Sequence, residues 1–178
     1  MGHIVAGSLG HPAYPLVVDI SSKAPSFREA TAHGYLRVKC PRHDPLSHWW
    51  PEDVSSETVL TTTASIAGIS AAKQCSTVIP LCHNLPLHKV TCVISRPQLE
   101  EESIPTPQSN TLHYLVRVVC TAKTEGRTGV EMEALVGASS AALTLYDLLK
   151  GTLGHERLEV GGVRVVHKSG GKSGVGDK

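Results

Sequence analysis

Three segments of the chain combine reactive side chains with glycine or proline. The first is residues 79–86, IPLCHNLP, in which two prolines restrict the backbone on either side of Cys82 and His83. A rigid loop positions catalytic groups with little further loss of conformational entropy. Because imidazole exchanges protons near neutral pH, His83 could bind phosphate or transfer a proton. A histidine that only completes hydrogen bonds within the fold is the alternative for this motif taken alone.

The second segment is residues 126–133, GRTGVEME, a glycine turn that leads into a helix. Glu131 and Glu133 lie in the first helical turn, where acidic side chains complement the positive end of the helix dipole. Because they are two residues apart, they point in different directions, and only one can face the core. The other carboxylate could meet a ligand.

Near the far end of the same helix, Asp147 and Lys150 are three residues apart and therefore share one face. They could be an exposed ion pair with no further role. Alternatively, the carboxylate and the amine could tune each other's proton affinity for acid–base catalysis.

The third segment is residues 168–173, KSGGKS, near the end of the chain. A Walker A motif requires a glycine five residues before the second glycine of this segment, and Val166 occupies that position. The chain is therefore not a P-loop NTPase. Lys168 and Lys172 could still close over a phosphate group through their charge and through backbone amides.

Metal binding has one candidate stretch, residues 40–48. Cys40, His43 and His48 are suitable ligand types, but the spacing lacks the second cysteine pair of common structural zinc sites. No metal is expected, and a metal-binding interaction protein that uses this stretch is the weakest of the functions considered.

The composition excludes several classes of partner. The net charge is +1, from 17 basic and 16 acidic residues, so no overall field attracts nucleic acid or an anionic membrane. Five cysteines without a C-x-x-C pair argue against a disulfide framework and favour a reduced intracellular compartment. The first 16 residues lack the basic residues of a secretory or mitochondrial signal. We expect a cytoplasmic protein, or one of the mitochondrial matrix if it is imported as part of a longer precursor.

The elements that must position these residues follow from periodicity and from turn signals. The first are a flexible lead at 1–15, a strand at 16–20, a brief helix capped by Ser26, a strand at 35–39 and a loop at 40–56. A helix at 57–77 and strands at 88–95 and 112–124 follow. The last are a helix at 129–150 ended by Gly151, a strand at 158–167, and a glycine- and lysine-rich tail at 168–178.

From residue 35 onward this order is strand, helix, strand, strand, helix, strand. That order predicts an α+β fold of the ferredoxin-like type, with two helices packed on one face of an antiparallel sheet. Residues 16–167 would form one domain. The opposite face of the sheet would be open to solvent unless another subunit covers it, so we expect a homo-oligomer.

Seven segments together resemble the MoaC family of molybdenum cofactor assembly, in the same order and with similar spacing. They are VVDISSK, FREA, IAGISAAK, IPLCHNLPL, GRTGVEMEAL, AALTLYDLLK and KSGGKSG, between residues 16 and 174. The resemblance implies an α+β subunit in a hexamer, built as a trimer of dimers, with substrate pockets shared between subunits. It implies conversion of 3′,8-cyclo-7,8-dihydroguanosine 5′-triphosphate into cyclic pyranopterin monophosphate with release of pyrophosphate, a lyase reaction on a pterin precursor that needs no redox cofactor.

The resemblance also implies roles for individual residues. Asp147 matches the active-site aspartate of the family and Lys150 its essential lysine. The residues that match substrate-contacting or charged pocket positions are Leu81, Cys82, His83, Glu131, Met132, Glu133, Arg28, Lys73, Lys168 and Lys172. Several cations suit a triphosphate, and the acid–base groups suit the proton transfers of the reaction.

One position departs from the family pattern. Counting back from Ile66, Glu57 stands where the family carries a lysine thought to be essential, and residues 40–56 before it look foreign to the family. Three explanations stay open: an impaired homologue, another lysine such as Lys39 in that role, or a stretch that does not represent the working protein. A non-catalytic nucleotide-binding subunit of the same fold is the alternative function.

Overall fold

An antiparallel sheet with two long helices on one face forms the fold. The computed structural model describes residues 4–5, 14–100 and 110–171. The elements are β1 (Ile4–Val5), β2 (Tyr14–Pro15), β3 (Ser26–Pro41), α1 (Val54–Lys73), α2 (Cys75–Val78), β4 (Lys89–Ile94), β5 (Gln98–Leu99), β6 (Thr111–Gly126), α3 (Glu131–Leu153) and β7 (Leu158–Ser169), with 3-10 turns at Leu46–His48 and His155–Arg157.

The strand order in the sheet is β4-β6-β3-β7, and the short β5 also pairs with β6. Each of these pairs is antiparallel. The helix α1 connects β3 to β4, and α3 connects β6 to β7. This connectivity and strand order are those of the predicted ferredoxin-like α+β fold, which is confirmed. The short pair β1–β2 forms a separate ladder.

The long central strand β3 explains how the sheet has two different faces. Its side chains alternate, and Ala30, Ala32, Leu36 and Val38 are fully buried on the side that the helices cover. The intervening residues face the other side and carry polar groups. There Thr31 Oγ1 lies 2.8 Å from Thr121 Oγ1 on β6. One face therefore builds the core, and the other holds a polar network.

Two glycines set how closely the helices approach each other and the sheet. A Cβ atom on Gly68 of α1 would lie 2.6 Å from Cys92 Sγ and 2.9 Å from the carbonyl oxygen of Gly137. A Cβ on Gly137 of α3 would lie 2.5 Å from Cys120 Sγ. Cys92 and Cys120 are direct cross-strand partners of β4 and β6. Each glycine therefore makes room for one sulfur atom and for the facing helix.

The apolar spacing of residues 129–150 predicts one core-facing stripe of Leu135, Ala138, Ala142, Leu145 and Leu149. The last four are buried and Leu135 is partly buried against the core. The helix does not end at Gly151, as predicted, but continues to Leu153. Its C-cap is Gly154, with a positive φ of 79°. Both glycines are compatible with a helix end, and only the left-handed backbone conformation distinguishes the true cap.

Two predictions near the amino terminus were wrong. Residues 16–20 form no strand, and Ser26 caps no helix, since it begins β3. Ser26 pairs with Gly126, and the pairing continues to Pro41 opposite Thr111. Sixteen residues of continuous pairing outweigh the weak local signal of a serine before a helix-like run. The strand predicted at 35–39 is the middle of this longer element.

The segment predicted as an aperiodic loop holds two buried tryptophans. Trp49 and Trp50 are 4% and 1% exposed, and the Trp49 ring contacts those of Trp50 and Tyr114 edge to face. The helix after them begins three residues earlier than predicted, because Asp53 caps it: its Oδ1 accepts the backbone N–H of Ser56 at 2.8 Å. The burial of Trp49 and Trp50 by residues distant in the chain leaves no periodic pattern in the sequence.

The last strand is longer than predicted and runs through Ser169, so that Lys168 belongs to the sheet and not to a tail. Lys168 pairs with Ala30, beside the start of β3. Within residues 14–100 and 110–171, no helix is both long and apolar enough to cross a membrane.

The glycine contact generates a test of stability. We expect Gly137→Ala to lower the free energy of unfolding by about 1–3 kcal/mol, because overpacking outweighs the better helix propensity of alanine. Gly151 is the matched control in the same helix: a Cβ there meets nothing within 4 Å. Gly151→Ala should raise stability by about 0.5–1 kcal/mol. Urea unfolding measures both.

A second substitution identifies the cause of the loss. Cys120→Ala removes the sulfur atom that the new Cβ would meet, so in the Gly137→Ala background it should recover part of the lost stability. If Gly137→Ala proves as stable as the starting protein, the helices do not depend on this contact.

Candidate functional site

A cleft of about 360 Å³ lies at the amino-terminal end of α3. Three stretches of chain surround it: residues 18–23, the loop after α2, and the turn that starts α3. The lining residues are Val18, Ile20, Lys23, Leu81, Cys82, His83, Leu85, Thr128, Gly129, Glu131, Met132 and Glu133. Two of the predicted reactive segments thus meet in one place, although they are about 45 residues apart in the sequence.

Two consecutive turns orient the loop that carries the predicted cysteine and histidine. The N–H of Ile79 donates to Cys75 O at 2.9 Å, and the N–H of Cys82 donates to Ile79 O at 3.1 Å. His83 Nε2 then lies 2.8 Å from the carbonyl oxygen of Val18. A carbonyl oxygen only accepts, so Nε2 carries the hydrogen, and Nδ1 is the ring atom left for a ligand or a proton.

The two carboxylates at the start of α3 diverge as their spacing predicts. Glu133 is buried, with 4% exposure, whereas the side chain of Glu131 is half-buried and forms a close ion pair with Lys168 Nζ. Both still line the cleft. Lys168 therefore reaches the cleft from the end of β7 and neutralises one of its two carboxylates.

Burial controls the protonation of the groups inside the cleft. It raises the pKa of Glu133, and the nearby Glu131 raises that pKa further. Burial also raises the pKa of Cys82, and raises that of its neighbour Cys75 to about 12. Both cysteines are therefore neutral thiols and poor nucleophiles at neutral pH. The cleft suits proton transfer by a carboxyl group better than thiolate chemistry.

Arg28 lies beside the glycine pair that follows β7. Gly170 and Gly171 have positive φ values of 83° and 82°, and their backbone is packed against Phe27 O and the Arg28 guanidinium. Arg28 Nε is buried without a hydrogen-bond partner among the described residues. Lys172, the remaining predicted cation of this stretch, lies outside the described residues.

Lys73 is exposed at the last position of α1 and does not line the cleft. Gly68 approaches Ala141, and the later residue Ala72 approaches the earlier residue Gly137, so α1 and α3 are antiparallel neighbours. Lys73 is therefore at the same end of the helix pair as the cleft.

Asp147 and Lys150 form the expected pair, with Nζ 2.5 Å from Oδ1. The hydrogen bond from Lys150 to Asp147 raises the lysine pKa. Their side chains are 68% and 54% exposed. Sixteen residues separate Asp147 from Glu131, which corresponds to about 24 Å along the helix axis. Within one subunit, the structure therefore separates this pair from the cleft.

Glu57, at the position that departs from the family pattern, has partners within the subunit. Its Oε1 lies 2.9 Å from Arg96 Nε and 3.3 Å from Trp50 Nε1. The carboxylate thus ties α1 to the tryptophan segment before it.

The stretch at 40–48, considered for metal binding, is occupied by other contacts. Cys40 is fully buried in the core. Asp44 accepts from Arg157 at 2.8 Å and lies 2.6 Å from His48 Nδ1, and Arg157, followed by His48, lowers its pKa. Within residues 14–100 and 110–171, no group of three or more potential ligands could hold a metal ion.

Sequence reasoning missed the contribution of residues 18–23 to the cleft. The cleft is lined by Val18, Ile20 and Lys23, which belong to no helix or strand. The available signal was the turn-forming sequence Asp-Ile-Ser-Ser before a lysine. Thr128, Gly129 and Leu85 were also not singled out.

The fold and the cleft together define a ferredoxin-like α+β protein with a polar site at one end of its helix pair. The profile of the MoaC family matches residues 17–171. Proteins named cyclic pyranopterin monophosphate synthase are similar over most of their length. The one from Jannaschia sp. (strain CCS1) is 40% identical over 158 residues, covering 89% of this chain and 85% of the relative. The relative from Brucella ovis is 41% identical and covers 89% of this chain and 84% of its own length. The relative from Corynebacterium efficiens is 37% identical and covers 97% of this chain and 94% of its own length. The chain belongs to the MoaC family.

The raised pKa of Glu133 generates a prediction about pH. As pH rises from about 4.5, the unfolded chain releases the Glu133 proton before the folded protein does, so this residue makes stability fall with increasing pH. We expect Glu133→Gln to abolish this fall in stability, because glutamine has no proton to release. Relative to the starting protein, the variant should gain no stability below pH 4.5 and an increasing amount above it. Urea unfolding between pH 4 and pH 8 measures the difference.

Glu52→Gln is the matched control, since Glu52 is exposed at the surface. It should leave the pH dependence unchanged. A gain for Glu133→Gln that is equal at pH 4 and pH 8 would contradict a raised pKa for this buried carboxyl group.

Proposed function

We propose that the protein is a cyclic pyranopterin monophosphate synthase of molybdenum cofactor biosynthesis. Its substrate is 3′,8-cyclo-7,8-dihydroguanosine 5′-triphosphate, and it releases pyrophosphate. The observation that carries the proposal is the meeting of the 79–86 loop with the start of α3 around one cleft. The full-length similarity to relatives of that name supports the same reaction.

The proposed reaction opens a purine-derived ring, forms a pyrazine ring and closes a cyclic phosphate, and each step moves protons. Glu133, whose pKa is raised by burial, is the candidate proton donor, and Nδ1 of His83 is the candidate proton acceptor. Glu131 and its partner Lys168 form an ion pair that can reorganise around phosphate oxygens. Leu81 and Met132 supply apolar contact surface for the base.

We further propose that a working site takes Asp147 and Lys150 from a neighbouring subunit. Their separation of about 24 Å from Glu131 excludes a direct role at the cleft of their own subunit. Their exposure leaves them free to meet a second copy. This arrangement supports the expected hexamer, a trimer of dimers, in which each cleft is completed by a partner. We place the protein in a reducing compartment, cytoplasm or mitochondrial matrix, in keeping with its five free thiols.

Subunit mixing tests the shared site. His83→Ala and Lys150→Ala should each lower pyrophosphate release by roughly 100-fold or more, the range for loss of an acid–base group. Co-expression of the two variants with different affinity tags gives mixed assemblies, which two-step purification isolates. In each mixed dimer, one of the two shared sites has both native His83 and native Lys150, so pyrophosphate release should rise well above that of either variant.

The control mixture pairs Asp147→Asn with Lys150→Ala. These residues belong to the same cluster, so no site in the mixed assembly recovers both, and activity should stay low. Equal recovery in both mixtures, or none in the first, would contradict a site divided between subunits. Absence of pyrophosphate release by the native chain would overturn the proposed function itself.

The non-catalytic alternative depends on Glu57 and has its own test. If the carboxylate impairs the site, Glu57→Lys should raise the rate of pyrophosphate release. The same change breaks the ion pair with Arg96, so Glu57→Gln is the control for that loss. A nucleotide-binding subunit without activity binds substrate in calorimetry but releases no pyrophosphate in any of the three forms.

A further inference from the structure

Two cysteines face each other across the outer strand pair of the sheet. Cys92 of β4 and Cys120 of β6 are direct partners in the antiparallel register. Three residues further along the same two strands, the N–H of Ser95 donates to the carbonyl oxygen of Arg117 at 2.9 Å. Hydrogen-bonded and non-hydrogen-bonded pairs alternate along an antiparallel ladder, so Cys92 and Cys120 form a non-hydrogen-bonded pair. In such a pair the two side chains approach each other most closely.

The geometry of this position suits a disulfide bond. The Cα atoms of a non-hydrogen-bonded pair are about 4.5 Å apart, and disulfide bonds join Cα atoms that are about 4.4–6.8 Å apart. Both sulfur atoms point to the same side, since each lies beneath one of the two glycines of the α1–α3 contact. The thiol of Cys120 donates a hydrogen bond to Cys92 Sγ. The sulfur atoms are therefore already in contact, and no change of register is needed to join them.

The two thiols differ in reactivity. The hydrogen bond from Cys120 lowers the pKa of Cys92, and the same bond raises the pKa of Cys120. Cys92 is 7% exposed on β4, which lies at the end of the strand order, whereas Cys120 is fully buried on β6, between β4 and β3. Cys92 is therefore the thiol that a small oxidant meets first, and Cys120 lies behind it as the second thiol.

A second pair of thiols in contact lacks this asymmetry. Cys75 and Cys82 also share a hydrogen bond, but burial raises the pKa of both. Neither of them readily supplies the thiolate that reacts with an oxidant. The cross-strand pair is the one whose surroundings favour oxidation.

We propose that Cys92 and Cys120 form a disulfide bond on exposure to peroxide, and that this bond clamps the outer strand β4 to β6. The Cys92 thiolate first displaces hydroxide from hydrogen peroxide and becomes a sulfenic acid, and the hydroxide takes up the proton that Cys92 released. The sulfur of Cys120 then attacks that of Cys92, and the thiol proton of Cys120 leaves with the hydroxyl group as water. Two thiols and one peroxide thus give one disulfide and two waters, and two electrons pass from sulfur to oxygen.

The position of β4 gives this bond a structural consequence. The strand begins directly after the 79–88 segment, which supplies one wall of the cleft. That segment is itself attached to β6, because Thr124 Oγ1 donates to Pro86 O at 2.5 Å and the N–H of His88 donates to Lys123 O at 2.9 Å. A covalent link further along the same two strands therefore limits opening of the part of the sheet from which this wall extends.

Peptide mass spectrometry after peroxide treatment of the intact assembly and alkylation tests bond formation. The peptide with Cys92 should be joined to the peptide with Cys120, at a mass two hydrogen atoms below that of the two thiol peptides together, and dithiothreitol should restore both thiols. Cys92→Ala should abolish the link. Cys40→Ala is the matched control, since Cys40 is also buried but lies outside the pair, and it should leave the link unchanged. A bond between Cys75 and Cys82 in its place, or sulfinic acid at Cys92 without a link, would refute the proposal.

Thermal unfolding and amide hydrogen exchange test the clamp. A disulfide bond across a loop of this size should raise Tm by about 5–15 °C in a chain of this length. Peroxide should therefore raise Tm by that amount in the native protein and in Cys40→Ala, but not in Cys92→Ala. Exchange should slow in β4 and stay the same at the carboxyl-terminal end of α3. A linked protein with unchanged Tm and unchanged exchange in β4 would contradict the clamp. Neither measurement uses turnover, so both are independent of the proposed reaction.

Discussion

The contact between α1 and α3 through Gly68 and Gly137 is the constraint on which the rest of the structure depends. It brings two helices together over a sheet whose cross-strand sulfur atoms occupy the space beneath the two glycines. Interiors packed at this density resist even the addition of one methyl group. The contact therefore fixes the axis of α3 relative to the sheet. Everything attached to either end of α3 inherits that position.

Because α3 is one uninterrupted helix of 23 residues, it holds its two reactive clusters at a fixed separation. Glu131 and Glu133 belong to one end, and Asp147 and Lys150 to the other. A rigid helix cannot bring its own ends together, so only a second copy can unite the clusters. In the proposed shared site, assembly would be part of the chemistry and not only of stability, in keeping with the exposure of Asp147 and Lys150 in a single subunit.

Sequence periodicity was sufficient for the topology and for the inward face of α3, because amphipathic spacing directly records burial. It failed where tertiary contacts decide the conformation. For α1, the spacing of small and apolar residues predicts a buried face through Leu60, Ala64, Ala67 and Ala71, whereas the structure buries Leu60, Ala64, Gly68 and Ala72. Trp49 is buried by rings from distant elements. Local sequence does not encode such partners, and for the same reason residues 18–23 were not predicted to line the cleft.

Two carboxylates in the cleft are expected to repel the phosphate groups of the proposed triphosphate substrate. The surroundings of each carboxylate reduce that repulsion. Glu131 is neutralised by Lys168, and burial favours the protonated, uncharged form of Glu133. The ion pair of Glu131 and the raised pKa of Glu133 both reduce the repulsion that the two carboxylates exert on a phosphate group. In the proposed reaction, a phosphate group of the substrate would compete with Glu131 for Lys168 and so free a carboxylate beside the base. Substrate binding would in this way generate the proton acceptor that the reaction requires, at the position where it is needed.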